Sequence, residues 1–216
     1  MRNLIQKILR ESLLDEDYPV NWSWEVFNKL KSFNARIKYC QTNLKRLSSG
    51  SSRIVYLIDE TKVLKIARNK KGLAQNMNEI QWGKDYYYRD ILAQVFEHSE
   101  DNIFLEMELA KKVKPDDFVR IVGYSLEDIY SYLEYTSSNS NERSFKAKQL
   151  GNKLDDMHEN QFIHLLNDFF IANKMEMGDL SKLNTYGLVK RNGNDEIVLV
   201  DYGLTKDTFS NHYIRK

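Results

Sequence analysis

The stretch that most constrains this chain is Val63-Leu64-Lys65-Ile66-Ala67, where a lysine interrupts an otherwise apolar, strand-like run. An ammonium drawn into an apolar layer is costly unless an opposite charge meets it. Glu79, in the stretch 74–92 of helical character, is the candidate partner, an arrangement that leaves Lys65 able to touch a ligand phosphate. Taken alone, the segment reads first as an edge strand whose lysine faces solvent. Its surroundings support a strand in either case. Ile54-Val55-Tyr56-Leu57-Ile58 reads as a first strand, Asp59-Glu60-Thr61 as a turn and Lys62 to Ala67 as a second. Together they form a hairpin with the small-residue cluster Ser48-Ser49-Gly50-Ser51-Ser52 at its entrance.

Before that hairpin the period is helical. Leu4, Ile5, Ile8, Leu9 and Leu13 share one face of a short amphipathic helix. Ser23 is placed to cap a second helix carrying Trp24, Phe27, Leu30, Phe33 and Ile37. Both helices are expected to pack on the domain that follows, with docking of the first onto a protein partner as the alternative. After 74–92 come two short strands, Val95-Phe96-Glu97 and Ile103 to Leu109. Past Pro115 the pattern is helical through 175, with an exposed loop expected over Tyr135–Arg143. Residues 186–190 and 196–201 form a late hairpin turning at Arg191-Asn192-Gly193-Asn194. Strands first, helices next and a late hairpin describe an α+β protein with two lobes.

Composition excludes several classes. Net charge is +1, so bulk electrostatic capture of nucleic acid is not expected. One cysteine cannot close an intramolecular disulfide, no Cys/His cluster has zinc-ligand spacing, and a reducing cytoplasm fits. No apolar run approaches the ~18–20 residues that span a bilayer, and no membrane association is expected.

Two further segments carry polar groups at places where strands and loops meet. Gly178-Asp179-Leu180-Ser181-Lys182-Leu183-Asn184 sets a carboxylate five residues before an amide. In Ile197-Val198-Leu199-Val200-Asp201-Tyr202-Gly203 an aspartate stands where an apolar strand leaves the core. Asp201 and the Asn184 oxygen suit a hard divalent cation such as Mg²⁺, while Asp179 is left for a substrate hydroxyl. The small residues Gly50, Ser51 and Ser52 let backbone N–H groups approach phosphate oxygens.

In this order the pieces resemble the protein-kinase-like superfamily over roughly residues 47–205, including its aminoglycoside and choline kinase type. The resemblance implies a two-lobed fold, with an antiparallel sheet in the N-lobe, a reduced helical C-lobe, and ATP and Mg²⁺ as cofactors. The implied domains are a helical extension (1–46), an N-lobe (47–110) and a minimal C-lobe (111–216). Lys65 matches the strand lysine on the α/β-phosphates and Glu79 its helical partner. Asp179 matches the catalytic-loop aspartate, Asn184 the metal-binding asparagine and Asp201 the metal aspartate of Asp-Phe-Gly, here Asp-Tyr-Gly. Phe104 to Ala110 resembles the strand entering the hinge, with Met107 at the gatekeeper and the Glu108 to Ala110 backbone facing adenine. Gly50, Ser51, Ser52 and Val55 complete the implied nucleotide set. A competing register that uses His164 would put Leu166 at the catalytic position, so His158 and His164 read as ordinary helix residues.

The match departs from the family in three places. Of three phosphate-loop glycines only Gly50 remains, with Ser48 and Arg53 at the others, and Arg53 is expected near the phosphates. Met177-Gly178 replaces His-Arg, which brings Gly178-Asp179 closer to the small-molecule kinases. With Lys216 the last residue, no activation segment or protein-docking helices are expected. The leading expectation is an ATP- and Mg²⁺-dependent phosphotransferase acting on a hydroxyl. The alternative is a pseudokinase-type scaffold that binds nucleotide and a partner. A third reading, nucleotide transfer in place of phosphate transfer, is selected by no residue. If the chain is virus-encoded, the expected compartment is host cytoplasm.

Overall fold

The computed structural model describes residues 18–212, without the side chains of Ser140 and Asn141. The helix expected over Leu4–Leu13, with its partner contact, lies outside the described residues. The chain is α+β and divides into two compact units. Of the described residues, one unit takes in those up to Met77 together with Val95–Leu109; the other takes in Asn78–Gln94 and those from Ala110 onward.

The first unit is built on β1 (Lys45–Ser49), β2 (Arg53–Leu57), β3 (Lys62–Ala67), β4 (Val95–His98) and β5 (Phe104–Glu108). These lie in the order β1-β2-β3-β5-β4, every neighbouring pair antiparallel. The β2–β3 turn is closed by Asp59, whose Oδ1 accepts hydrogen bonds from the Lys62 and Thr61 backbone N–H groups. β1 is a strand the sequence pattern did not reveal: Ser48 and Ser49 belong to it rather than to a loop. All five of its residues are exposed, so it carries no apolar alternation to read.

Register sorts the side chains into two faces, because neighbours in a strand point to opposite sides. Ile54, Tyr56, Leu64, Ile66, Phe104 and Glu106 share one face. It is covered by α1 (Trp24–Lys29), α2 (Phe33–Asn43) and the segment before them, through Tyr18, Trp22, Trp24, Phe27 and Cys40. The Trp24 ring lies tilted against Phe104 at 4.7 Å between centroids, and the Tyr18 hydroxyl donates to buried Glu106 at 2.8 Å. Burial pushes the Cys40 thiol far up, leaving it a neutral core group. Ser23 caps α1 as its spacing predicts, accepting from Val26 N–H. The single helix expected from Trp24 to Ile37 is two, because Ser32 offers an equivalent cap, accepting from Ala35 N–H, and the chain restarts there.

Helix α3 (Lys70–Trp82) begins in the first unit and ends in the second. It is shorter than the 74–92 pattern suggests. Beyond Trp82 the chain turns at Gly83 and Asp85, and Ile91 to Ala93 attach instead to the end of a strand: Leu199 N–H donates to Ile91 O and Ala93 N–H to Leu199 O.

The second unit contains α4 (Pro115–Val122), α5 (Leu126–Ser137), α6 (Ser140–Leu150), α7 (Lys153–Glu159) and α8 (Gln161–Asn173). The loop expected over Tyr135–Arg143 shrinks to a break at Ser138-Asn139. The Ser137 and Ser138 hydroxyls bond back to helix carbonyls, and Asn139 caps α6. His158 meets the Tyr132 hydroxyl at 2.9 Å and His164 lies 3.5 Å from Asp168, both as ordinary helix residues. A three-stranded antiparallel sheet, β6 (Lys111–Lys112), β7 (Tyr186–Arg191) and β8 (Asn194–Leu199), carries the late hairpin. Its turn is Asn192-Gly193, with φ of 51° and 86°, the positive pair that a two-residue hairpin requires. The core gathers Trp82, Tyr88 and Tyr202 edge-on around Phe169.

Candidate functional site

In the second unit, Asp179, Asn184 and Asp201 are held by one short, tightly bonded stretch. α9 (Met177–Leu180) is a single turn followed by a 3-10 turn over Leu183–Thr185. Lys182 N–H donates to Asp179 O, and Thr185 N–H to Lys182 O. The buried Thr185 hydroxyl then donates back to Asp179 O at 2.7 Å. The Thr185 carbonyl accepts from Val200 N–H at 2.8 Å. Thr185, directly after Asn184, therefore ties the loop carrying Asp179 to the strand end carrying Asp201. Beneath it the Tyr186 hydroxyl donates to Leu180 O at 2.9 Å; burial raises that phenol far above its ordinary pKa, so it acts only as a neutral donor.

The carboxylates face outward from this frame. Asp201 and Asn184 are exposed and Asp179 is half-buried. Lys182 Nζ lies 2.6 Å from Asp179 Oδ1. That hydrogen bond, the attraction of the same carboxylate and a smaller attraction from Asp201 lift the Lys182 ammonium above its usual pKa. The neighbouring residues after Asp201 are buried. The Tyr202 hydroxyl donates to Ala93 O at 3.0 Å, and its carbonyl accepts from Asn173 Nδ2 at 3.0 Å. Gly203 O accepts from Asn78 Nδ2 at 2.9 Å. An exposed aspartate thus stands on an immobilised stem.

Among the described residues no group of three or more His, Cys, Asp or Glu side chains could hold a metal by itself. Asp201 and Asn184 supply two hard oxygen donors, which fits Mg²⁺. That ion is usually bound by one or two protein oxygens, with substrate phosphates and water completing its octahedron.

In the first unit, Val55, Lys65 and Met107 fall on one sheet face, opposite the aromatic cluster, since Val55 pairs with Lys65 and Met107 with Val63. Lys65 and Met107 are buried; Val55 is half-buried. Glu108, half-buried, ends β5 opposite Lys62. Gly50, Ser51 and Ser52 make the β1–β2 turn, closed by Gly50 N–H donating to Arg53 O at 2.9 Å. Arg68 Nη1 and Asn69 Nδ2 hold the Gly50 and Ser51 carbonyls at 2.7 and 3.0 Å. Gly50 and Ser51 are exposed, whereas the Ser52 hydroxyl turns inward to Gln75 at 2.6 Å. Arg53, expected near the phosphates, shares its sheet face with Val55 and Lys65. It is buried, with Nη1 facing Asn76 of α3 at 3.5 Å, because its register places it on the sheet face that α3 approaches. Glu79, fully buried, and half-buried Ala110 belong to the second unit. Sequence reasoning missed Thr185, Asn173 and Asn78; isolated polar residues show no period by which they could be found.

No protein-family model matches the chain, and no curated protein matches its sequence. Solved structures similar to it include the ternary complex of streptomycin, ATP and APH(2")-IIa, at 18% identity and a TM-score of 0.34, covering 86% of this chain and 72% of that one. The aminoglycoside phosphotransferase APH(2'')-Ib with ADP is similar at 17% identity and 0.32, covering 79% and 70%. SAICAR synthase from Saccharomyces cerevisiae is similar at 11% identity and 0.37, covering 73% and 72%. At these scores the chemistry rests on the chain's own residues. Among the described residues, no helix is long and apolar enough to cross a membrane.

Proposed function

We propose that the chain is an ATP- and Mg²⁺-dependent phosphotransferase of the protein-kinase-like type, moving the γ-phosphate to a hydroxyl acceptor. The observation that carries this reading is the Thr185 tie, which brings the loop of Asp179 and Asn184 and the strand end of Asp201 into one hydrogen-bonded unit. Asp179 orients the acceptor hydroxyl and takes its proton as the oxygen–phosphorus bond forms and the bond from the γ-phosphorus to the β–γ bridging oxygen breaks, releasing ADP. Asp201 and Asn184 are the residues that would hold Mg²⁺, which when bound supplies neutralisation of phosphate charge. Lys65 neutralises charge on the nucleotide phosphates, with Glu79 the partner that the resemblance implies. Val55, Met107 and the Glu108 to Ala110 backbone receive the adenine, and Gly50, Ser51 and Ser52 cover the phosphates. Phosphoryl transfer asks for positioning and electrostatics more than for covalent chemistry, and these residue types supply both.

One observation favours a second reading, a scaffold that binds nucleotide without transferring phosphate. The Asp179 carboxylate is already engaged by Lys182. Melting the protein with ATP and Mg²⁺, then measuring ADP, separates the readings. A ligand of the native state raises its stability. Stabilisation with ADP formation supports the transferase, stabilisation without it supports the scaffold, and no stabilisation at high ligand excess removes both.

A further inference from the structure

Two asparagines spend their amide groups on the peptide carbonyls that immediately follow Asp201. Asn173, the last residue of α8, is buried and donates to Tyr202 O at 3.0 Å. Asn78, from α3, is half-buried and donates to Gly203 O at 2.9 Å and to the Thr208 hydroxyl at 3.0 Å. A carbonyl only accepts, so the amide nitrogen must be the atom facing it in each case. The stem is fixed on its remaining side by the Tyr202 hydroxyl on Ala93 O and by the Tyr202 ring, fully buried against Phe169 at 5.8 Å. The chain beyond is anchored as well: Lys206 N–H donates to Lys174 O, and Thr208 N–H to the Thr205 hydroxyl. Asparagine is a poor choice for helix stability. At both positions the side-chain amide is engaged by these carbonyls.

We propose that Asn173 and Asn78 are positioning residues that set the Asp201 carboxylate for a divalent cation, an inference that rests on the phosphotransferase reading. Neither touches a reacting atom. Each bonds a peptide group within two residues of Asp201, from a separate helix, so the stem cannot shift without breaking a bond to one of them. Mg²⁺ demands near-ideal octahedral geometry, and a carboxylate displaced by a fraction of an ångström binds it less well. The side chain that needs placing is the one left exposed, while the backbone behind it is clamped.

The test compares Asn173→Leu, Asn78→Ala and Asp201→Ala with the unmodified protein by calorimetric titration of ATP, once in EDTA and once in excess Mg²⁺. The expected result is unchanged ATP affinity in EDTA for both asparagine variants. The gain in affinity that Mg²⁺ gives should fall by about 10-fold or more, the size seen when groups supporting a metal ligand are removed. A purely structural role would lower the melting temperature and weaken both titrations alike. Asn78 is half-buried, so Asn78→Ala carries the test if Asn173→Leu does not fold. The proposal is overturned if a folded variant keeps the full Mg²⁺ gain, or if the Mg²⁺ and EDTA titrations weaken equally. If the unmodified protein binds ATP with no Mg²⁺ gain at all, the phosphotransferase reading itself fails and the clamp falls with it.

Discussion

Replacing Thr185 by valine removes one hydroxyl and keeps the shape of the side chain, at a position where that hydroxyl has a single assigned task. Its bond to Asp179 O, 2.7 Å long, is lost. The backbone bonds of Thr185, to Lys182 O and from Val200 N–H, are kept. Asp179 O also keeps its bond from Lys182 N–H at 3.1 Å, so no buried carbonyl is left bare. The stability cost is therefore that of one ordinary hydrogen bond, about 1 kcal/mol. For a chain of this size that lowers the melting temperature by roughly 2–4 °C. The effect on turnover is larger, since Asp179 is then held by fewer bonds and a misplacement of about 1 Å can cost ~100-fold in rate. Thr185→Val should show a kcat loss of about 10-fold or more with nucleotide affinity unchanged, and Thr185→Ser, which keeps the hydroxyl, should recover most of it. Steady-state kinetics alongside thermal melts make the comparison. A folded Thr185→Val with the expected small melting shift and undiminished kcat would refute the role given to this residue.

Other positions give separate expectations. Trp24→Ala, which empties the centre of the aromatic cluster over the sheet, should destabilise by about 3–5 kcal/mol in urea unfolding. Gly72→Ala should also destabilise, by roughly 1–3 kcal/mol, because a Cβ there would lie 2.2 Å from Ser52 O and 2.9 Å from Ala67 Cα, both backbone atoms. The Arg120 guanidinium, with the Lys114 backbone N–H, holds Asp117 below its ordinary pKa. That carboxylate therefore contributes stability at neutral pH that is lost as pH falls below the unfolded value and through the lower folded one. Asp117→Asn should flatten the acid limb of a stability–pH curve while leaving its alkaline limb unchanged.

What the sequence made legible were the features with a local signature. Lys65 inside apolar neighbours, the Asn192-Gly193 turn and the Ser23 cap each announce themselves within a few residues, and each stands where its pattern placed it. β1 escaped because a strand exposed on both faces has no alternation, and only pairing with β2 defines it. The stretch after Trp82 kept a helical composition, yet its backbone is taken by Leu199, a partner more than a hundred positions away. The burial of Arg53 was hidden for a related reason: its side depends on strand register, fixed by Ala67 opposite. Thr185, Asn173 and Asn78 matter only through carbonyls brought to them by folding, so the frame of the candidate site was hidden while its outward-facing carboxylates were not.

The central claim is that Asp179, Asn184 and Asp201 form a phosphotransfer centre. The most direct measurement follows γ-labelled ATP with Mg²⁺, with the protein alone and with added lysate as a source of acceptors, for the unmodified chain and for Asp201→Ala. The account predicts label transferred to a hydroxyl acceptor by the unmodified chain, and none above background by an Asp201→Ala protein that still melts cooperatively. Full transfer by Asp201→Ala would contradict it.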